Sequence, residues 1–131
     1  MANPNYKIML VDDDSFLINM YSMKFGKSGF EVTAATSAAD ALKKLKEGYV
    51  PDIILLDIIM PGMDGLQLLE EIKKENLGST ATKIMLTNQS DAADIEKAKS
   101  LGIDGYIVKA TTIPSEVITN VLDIYNKKHG V

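Results

Sequence analysis

Several residue types are absent or scarce in this chain of 131 residues, and each absence excludes a class of protein. There are no cysteines, so disulfide bonds and thiolate metal sites are excluded. Histidine occurs once, at His129, which leaves no histidine cluster for zinc or a softer metal. No apolar run approaches the roughly 20 residues of a membrane helix, and residues 1–6 lack the pattern of a secretory signal. We therefore expect a cytoplasmic protein without a membrane-spanning segment.

Basic residues are too few for a nucleic-acid-binding chain. The net charge is −4 and the pI is about 4.9, whereas nonspecific nucleic-acid binding requires Lys and Arg to neutralise phosphates. The hydrophobic share of 46% and the charged share of 24% are typical of a globular domain. The length predicts a single domain over residues 1–131, with a core over about 6–127 and a short, frayed polar tail that contains His129.

Apolar runs alternate with helical patterns along the chain. Strands are predicted at Ile8–Val11, Glu31–Ala35, Ile53–Leu56, Lys83–Thr87 and Gly105–Lys109. Helices are predicted from Ser15, from Ser37, from about Gly65 to Glu75, over Asp91–Leu101 and from Pro114. This alternation indicates an α/β doubly wound fold, with helices on both faces of a five-stranded parallel sheet. The common strand order for such a sheet is the flavodoxin-like one, 2-1-3-4-5.

Four helix starts carry recognisable signals. Ser15 is expected to cap the first helix. Ser37, with an acidic residue three positions later, resembles the capping box of the second. Asp64 is expected to be a turn or cap residue before the third. Pro114 suits the first turn of the last helix, because its missing amide hydrogen is not needed there.

Polar side chains follow the apolar strands at the points where the strands end. Asp12–Asp14 follow the first strand, Asp57 follows the third, and Thr87 and Lys109 end the fourth and fifth. In the predicted order the first and third strands are neighbours, and ligands bind beyond the carboxyl ends of the strands at this switch point. We therefore expect carboxylates, a hydroxyl and an ammonium to meet in one crevice.

This set of side chains indicates magnesium-dependent phosphoryl chemistry. Adjacent carboxylates repel unless a cation is present, and Mg²⁺ prefers oxygen ligands, so Asp12 and Asp13 are predicted to hold Mg²⁺. A carboxylate can also act as a nucleophile that forms an aspartyl phosphate, and Asp57 is the best candidate because it follows the longest apolar run. The Lys109 ammonium and the Thr87 hydroxyl would then hold phosphoryl oxygens.

Four segments together resemble the receiver domain of two-component response regulators, and they span nearly the whole chain. The segments are Ile8–Asp14, Pro51–Gly65, Lys83–Thr87 and Gly102–Lys109. The resemblance implies that a histidine kinase or a phosphotransfer protein phosphorylates Asp57. It also implies a downstream target protein, which the sequence does not identify.

The resemblance implies how the metal is held and what the domain catalyses. Asp12 and Asp13 would support Mg²⁺, and Asp57 and the backbone carbonyl of Ile59 would complete the protein ligands. A domain of this kind catalyses its own phosphorylation and its own slow dephosphorylation. It does not turn over a separate substrate.

The resemblance also implies residues that respond to phosphorylation. By the resemblance, Thr87 and Lys109 bind the phosphoryl group in the active state, and Tyr106 is the aromatic switch that turns inward on activation. Two neighbours depart from the usual pattern of the family. Ala110 follows the lysine where proline is usual, and Asn88 stands where the residue after the threonine is usually small.

Other functions remain alternatives at this stage. A phosphatase of the haloacid dehalogenase type needs Thr four residues after its first aspartate, and Phe16 stands at that position. A flavin-binding protein needs a hydroxyl-rich phosphate loop, in which Asp12–Asp14 would repel the phosphate. A degenerate receiver that acts only as a protein-interaction module remains open. The chain is either a stand-alone receiver or a piece of a longer regulator.

Overall fold

A computed structural model of the chain describes residues 5–88, 92–109 and 112–130. Strands and helices alternate in the order β1 (Lys7–Val11), α1 (Ser15–Lys27), β2 (Glu31–Ala35), α2 (Ala38–Lys46), β3 (Ile53–Leu56), α3 (Gly65–Lys74), β4 (Thr82–Thr87), α4 (Ala92–Ser100), β5 (Gly105–Val108) and α5 (Pro114–His129). The five strands form one parallel sheet in the order β2-β1-β3-β4-β5, which confirms the predicted flavodoxin-like order. None of the helices in the described part of the chain combines the length and apolarity needed to cross a bilayer.

Two apolar layers form the core, one on each face of the sheet. Successive strand residues point to opposite faces. One set packs against α2, α3 and α4 and includes Met9, Val11, Ile54, Leu56 and Met85. The other set packs against α1 and α5 and includes Ile8, Leu10, Ile53, Leu55, Ile84, Leu86 and Ile107. Every residue of β3 is buried, as its apolar pattern on both faces predicted.

The helix starts confirm three of the four predicted signals and correct one. The N-cap of α1 is Asp14, not Ser15, because its backbone is extended and its carboxylate accepts hydrogen bonds from the amides of Phe16 and Leu17. Ser37 caps α2, and its hydroxyl accepts from an amide in the first turn. The two other confirmed positions are Asp64 at the N-cap of α3 and Pro114 at the start of α5.

The predicted frayed tail is wrong for most of its length, because α5 continues to His129. The imidazole ring of His129 stacks on Tyr125 with ring centroids 4.2 Å apart. Its Nε2 lies 3.3 Å from the hydroxyl oxygen of Thr82 at the start of β4. The helix then ends at Gly130, whose φ of 70° is a left-handed conformation that favours glycine. The contact with Thr82 joins residues 47 positions apart in sequence, which is why local composition suggested a tail.

Replacing Asp64 with alanine is expected to destabilise the protein by about 1 kcal/mol, through loss of the cap of α3. The Asp64 carboxylate accepts a hydrogen bond from the Gln67 amide at 2.8 Å, and the Gln67 side-chain oxygen accepts from the Asp64 amide at 2.9 Å. Urea unfolding measures the change, with Asp123→Ala, an exposed carboxylate inside α5, as the matched control. Equal losses in the two variants would contradict the capping role.

Candidate functional site

Strand register brings Asp12 and Asp57 side by side at the carboxyl edge of the sheet. β1 and β3 pair with Val11 opposite Leu56, so the two aspartates that follow are neighbours. The ladder continues past both strands: the Asp57 amide donates to the Val11 carbonyl at 3.0 Å, and the Asp12 amide donates to the Ala35 carbonyl at 3.2 Å. Both aspartates are 8% exposed. Strand alternation puts their side chains on the face that α1 and α5 cover.

Lys109 joins the two carboxylates. Its Nζ donates to Asp12 Oδ2 at 2.6 Å and to Asp57 Oδ2 at 3.1 Å, and the side chain is 10% exposed. Burial lowers the pKa of Lys109, but the hydrogen bond to Asp12 and the charge of Asp57 outweigh it, so the pKa is raised overall. The ammonium therefore stays charged between its two partners.

One ammonium compensates two carboxylates only in part. Burial raises the pKa of Asp12, while hydrogen bonds from Lys109 and from the Asp14 amide at 2.9 Å act in the opposite direction. The ion pair alone would lower the pKa of Asp12 and raise that of Lys109, but burial of the Asp12 carboxylate outweighs its effect on Asp12, so both pKa values are raised. The site thus holds an excess of negative charge close to the carboxylate of Asp57.

Asp13 completes a group of three carboxylates whose oxygens lie within 4.8 Å of one another. Together with the one ammonium, the group carries two formal negative charges when all its members are ionised. Oxygen ligands of one Mg²⁺ ion lie about 2 Å from the metal and so about 3–4 Å from one another. The exposed position of Asp13 opens the group to solvent. An all-oxygen donor set with this charge and access therefore fits Mg²⁺.

Ile59 lies beside the carboxylate of Asp57. Its backbone carbonyl is the remaining predicted metal ligand. Its amide is 3.4 Å from Asp57 Oδ1 in a long hydrogen bond. Its side chain is 60% exposed and lines the cleft above the aspartates. The backbone of Ile59 is thus close to the three carboxylates, while its side chain extends over the approach from solvent.

Thr87 ends β4 at the carboxyl edge, and Tyr106 lies near the start of β5; both are on the opposite face of the sheet from Asp12. Thr87 is opposite Val108, and Tyr106 is opposite Met85, in the pairing of β4 with β5. Thr87 is 1% exposed, whereas Tyr106 is 40% exposed. Both side chains border a small apolar cavity next to α4. Its volume, measured as space for the centre of a water molecule, is ≈ 10 Å³.

All the predicted site residues except Tyr106 line one open cleft, which has a volume of ≈ 390 Å³. Its lining residues are Asp12, Asp13, Asp14, Leu17, Asp57, Ile59, Thr87, Asn88 and Lys109. Leu17 was not predicted as a site residue; its position in the first turn of α1, just after the acidic run, is the signal that could have identified it. Asn88 is exposed at the rim. Ala110, the other unusual neighbour, lies outside the described residues.

Comparisons with known proteins agree with this geometry. The family described as response regulator receiver domain matches residues 8–121. Chemotaxis protein CheY of Halobacterium salinarum is 35% identical over 119 residues, which cover 88% of this chain and 96% of that protein. A solved CheY-like receiver domain protein from Methanospirillum hungatei superimposes with a TM-score of 0.86 at 26% identity, covering 97% of this chain and 98% of that one.

Longer regulators match as well. The alkaline phosphatase synthesis transcriptional regulatory protein PhoP of Bacillus subtilis is 31% identical over 123 residues, which are 94% of this chain and 50% of that protein. The chain spans about half the length, or less, of the first curated relatives that it matches. From the extent of the family match and the shared fold, we conclude that the chain belongs to the response regulator receiver domain family of two-component signalling.

Proposed function

We propose that the protein is a phosphoacceptor that takes a phosphoryl group onto Asp57 from a histidine kinase or a phosphotransfer protein in the cytoplasm. The observation that carries the proposal is the position of the Asp57 carboxylate. It lies at the base of an open cleft, 3.1 Å from the Lys109 ammonium and next to two further carboxylates. A nucleophile, a fixed cation and a group of metal-ligand oxygens are the parts that phosphoryl transfer to a carboxylate requires.

The residues proposed to hold Mg²⁺ are Asp12, Asp13, Asp57 and the backbone carbonyl of Ile59. When bound, the ion would neutralise carboxylate charge and hold phosphoryl oxygens. The Asp14 amide donates to Oδ1 of Asp12 and Lys109 donates to Oδ2, and each oxygen keeps a further lone pair for a metal. Asp13 is exposed, so it can turn toward the cleft at little cost.

In the proposed reaction, a carboxylate oxygen of Asp57 attacks the phosphorus of a phosphohistidine. The O–P bond forms as the P–N bond breaks, and the imidazole leaves with that electron pair and takes up a proton. Lys109, which stays charged, moves its hydrogen bond from the Asp57 carboxylate to a phosphoryl oxygen. Slow attack by water on the phosphorus later returns the carboxylate and releases phosphate.

The output step is proposed to pass through Thr87 and Tyr106. Thr87 borders both the cleft and the small space next to α4, and Tyr106 borders that space from outside. Because Thr87 and Tyr106 line the same space, a movement of Thr87 would change the room into which Tyr106 can turn. Attraction of the Thr87 hydroxyl toward a phosphoryl oxygen would supply that movement. The face that changes, around β5 and its flanking helices, would bind a downstream protein.

Intact-mass measurement tests the phosphoacceptor proposal. After incubation with Mg²⁺ and a small phosphodonor such as acetyl phosphate, the wild-type protein should gain one phosphoryl group, and Asp57→Asn should gain none. Asp123→Asn, which removes an exposed carboxylate of α5, is the control and should gain one group like the wild type. If the wild type gains no phosphoryl group from several donors, the proposal fails.

A further inference from the structure

A small cavity lies directly beneath Asp12 and Asp57, between the sheet and α1. The volume open to the centre of a water molecule is ≈ 20 Å³. Apolar side chains of α1, β1, β3 and β4 form most of its wall, and the hydroxyl-bearing ring of Tyr21 forms another part. All the residues that line it are buried. Asp12 and Asp57 therefore border both this cavity and the open cleft.

Tyr21 brings an unusual polar group to this cavity. Its side chain is 6% exposed, and it packs in the apolar layer between Ile18 and Phe25 of α1. Among the described residues no protein group forms a hydrogen bond with its hydroxyl. The oxygen is not closed off from water, since the fully buried side-chain atom that lacks a partner is the hydroxyl of Tyr49. Burial raises the pKa of Tyr21, and the charged groups that also act on it are Lys109 and Asp12. The phenol therefore lies within electrostatic range of the Asp12 carboxylate and the Lys109 ammonium.

A hydroxyl that has no protein partner is usually satisfied by ordered water, because leaving it unsatisfied costs about 1–3 kcal/mol. A water molecule needs about 10–15 Å³ by the same measure of volume and two to four polar partners. The cavity has that room, and Tyr21, Asp12 and Asp57 border it. The two carboxylates retain acceptor capacity, because each oxygen has two lone pairs.

We propose that Tyr21 is a positioning residue that holds one ordered water beneath the carboxylates of Asp12 and Asp57. The phenol donates its hydrogen to the water, and the water donates one hydrogen to each carboxylate. The arrangement satisfies the Tyr21 hydroxyl and fixes both carboxylates from the side of α1. Since Asp12 and Asp57 are proposed metal ligands, this inference rests on the proposed function. It adds a residue, Tyr21, that orients two of those ligands through a water.

Metal binding by Tyr21→Phe tests the inference, because this change removes only the hydroxyl. Partners that orient metal ligands from behind typically contribute tenfold or more to metal affinity, so isothermal titration with Mg²⁺ should show an affinity about tenfold weaker than that of the wild type. Tyr125→Phe is the matched control. It removes a phenol hydroxyl from α5, where the ring packs on Tyr6, and it should bind Mg²⁺ like the wild type.

Urea unfolding without metal separates positioning from packing. A purely structural role for the hydroxyl would lower the stability of Tyr21→Phe and leave its Mg²⁺ affinity unchanged, and that result would overturn the inference. A high-resolution crystal structure of the wild type gives a check that does not depend on the variant. It should show one water within hydrogen-bond distance of Tyr21 Oη and a carboxylate oxygen, and a dry cavity would also overturn the inference. Failure of the wild type itself to bind Mg²⁺ would instead contradict the metal site of the proposed function.

Discussion

Replacing Gly65 with alanine is expected to destabilise the protein by about 3 kcal/mol or more and to lower its melting temperature by about 10 °C. Gly65 begins α3, and its amide donates to the Ile58 carbonyl at 2.8 Å. A Cβ at this position would lie 2.9 Å from the carbonyl carbon of Asp57 and still closer to its carbonyl oxygen. Because these atoms belong to backbone, no side-chain rotation can relieve the overlap. Thermal and urea unfolding measure the effect.

The overlap at Gly65 has a functional consequence, because it displaces the backbone of Asp57 itself. We therefore expect Gly65→Ala to lose phosphorylation even where it remains folded. Gly26→Ala is the matched control, since Gly26 lies within α1 and a Cβ there would meet no atom within 4 Å. That substitution should be neutral or stabilise by up to about 1 kcal/mol. Similar stabilities for the two variants would show that the backbone around Asp57 yields more easily than the packing implies.

Replacing Lys109 with methionine is expected to destabilise the metal-free protein by about 3 kcal/mol at neutral pH. The lysine compensates Asp12 and Asp57, whose carboxylates are each 11% exposed, and its loss leaves two buried like charges in contact. The pKa of Asp12 is already raised. A carboxyl group with a raised folded-state pKa reduces stability where it is ionised, so the deficit should shrink as the pH falls through that pKa. Urea unfolding over a range of pH measures both effects.

Magnesium should restore much of the stability that Lys109→Met loses, because a bound cation replaces the missing positive charge and binding favours the folded state. The same titration should stabilise the wild type less, since Lys109 already occupies the carboxylates. Lys97→Met is the control: its partner Glu70 is exposed, and such surface pairs contribute about 0–1 kcal/mol. A Lys109→Met protein as stable as the wild type without metal would mean that the ion pair contributes nothing net to folding.

These predictions describe a site whose charges are unfavourable to folding when no metal is bound. The negative charge that weakens the metal-free fold is the charge that attracts Mg²⁺, and the lysine that limits the cost is the group proposed to bind the phosphoryl oxygens. Substitutions at Lys109 should therefore affect stability and phosphoryl binding together, whereas Asp64→Ala should affect stability alone. The contrast separates residues that support the fold from those that serve the site.

Much of the fold could be predicted because its signals are local. The double-sided apolar run Ile53–Leu56 indicated a buried central strand, and Ser37 and Pro114 marked helix starts correctly. The first helix start could not be settled in this way, because both Asp14 and Ser15 are good capping residues and only the extended backbone of Asp14 decides between them. His129 was misassigned for a related reason: its contacts with Thr82 and Tyr125 combine a distant strand with its own helix.

The sequence by itself determined the order of strands and helices and the polar residue that ends each central strand, because periodicity and strand-end chemistry are properties of short segments. Only the tertiary structure decided which of those residues touch. Strand register puts Asp12 beside Asp57, and the reach of Lys109 from β5 makes it the partner of both. No sequence pattern marked Tyr21 as a residue of the site. Its place above a cavity shared with the two carboxylates follows from the packing of α1 on the sheet, which no local pattern contains.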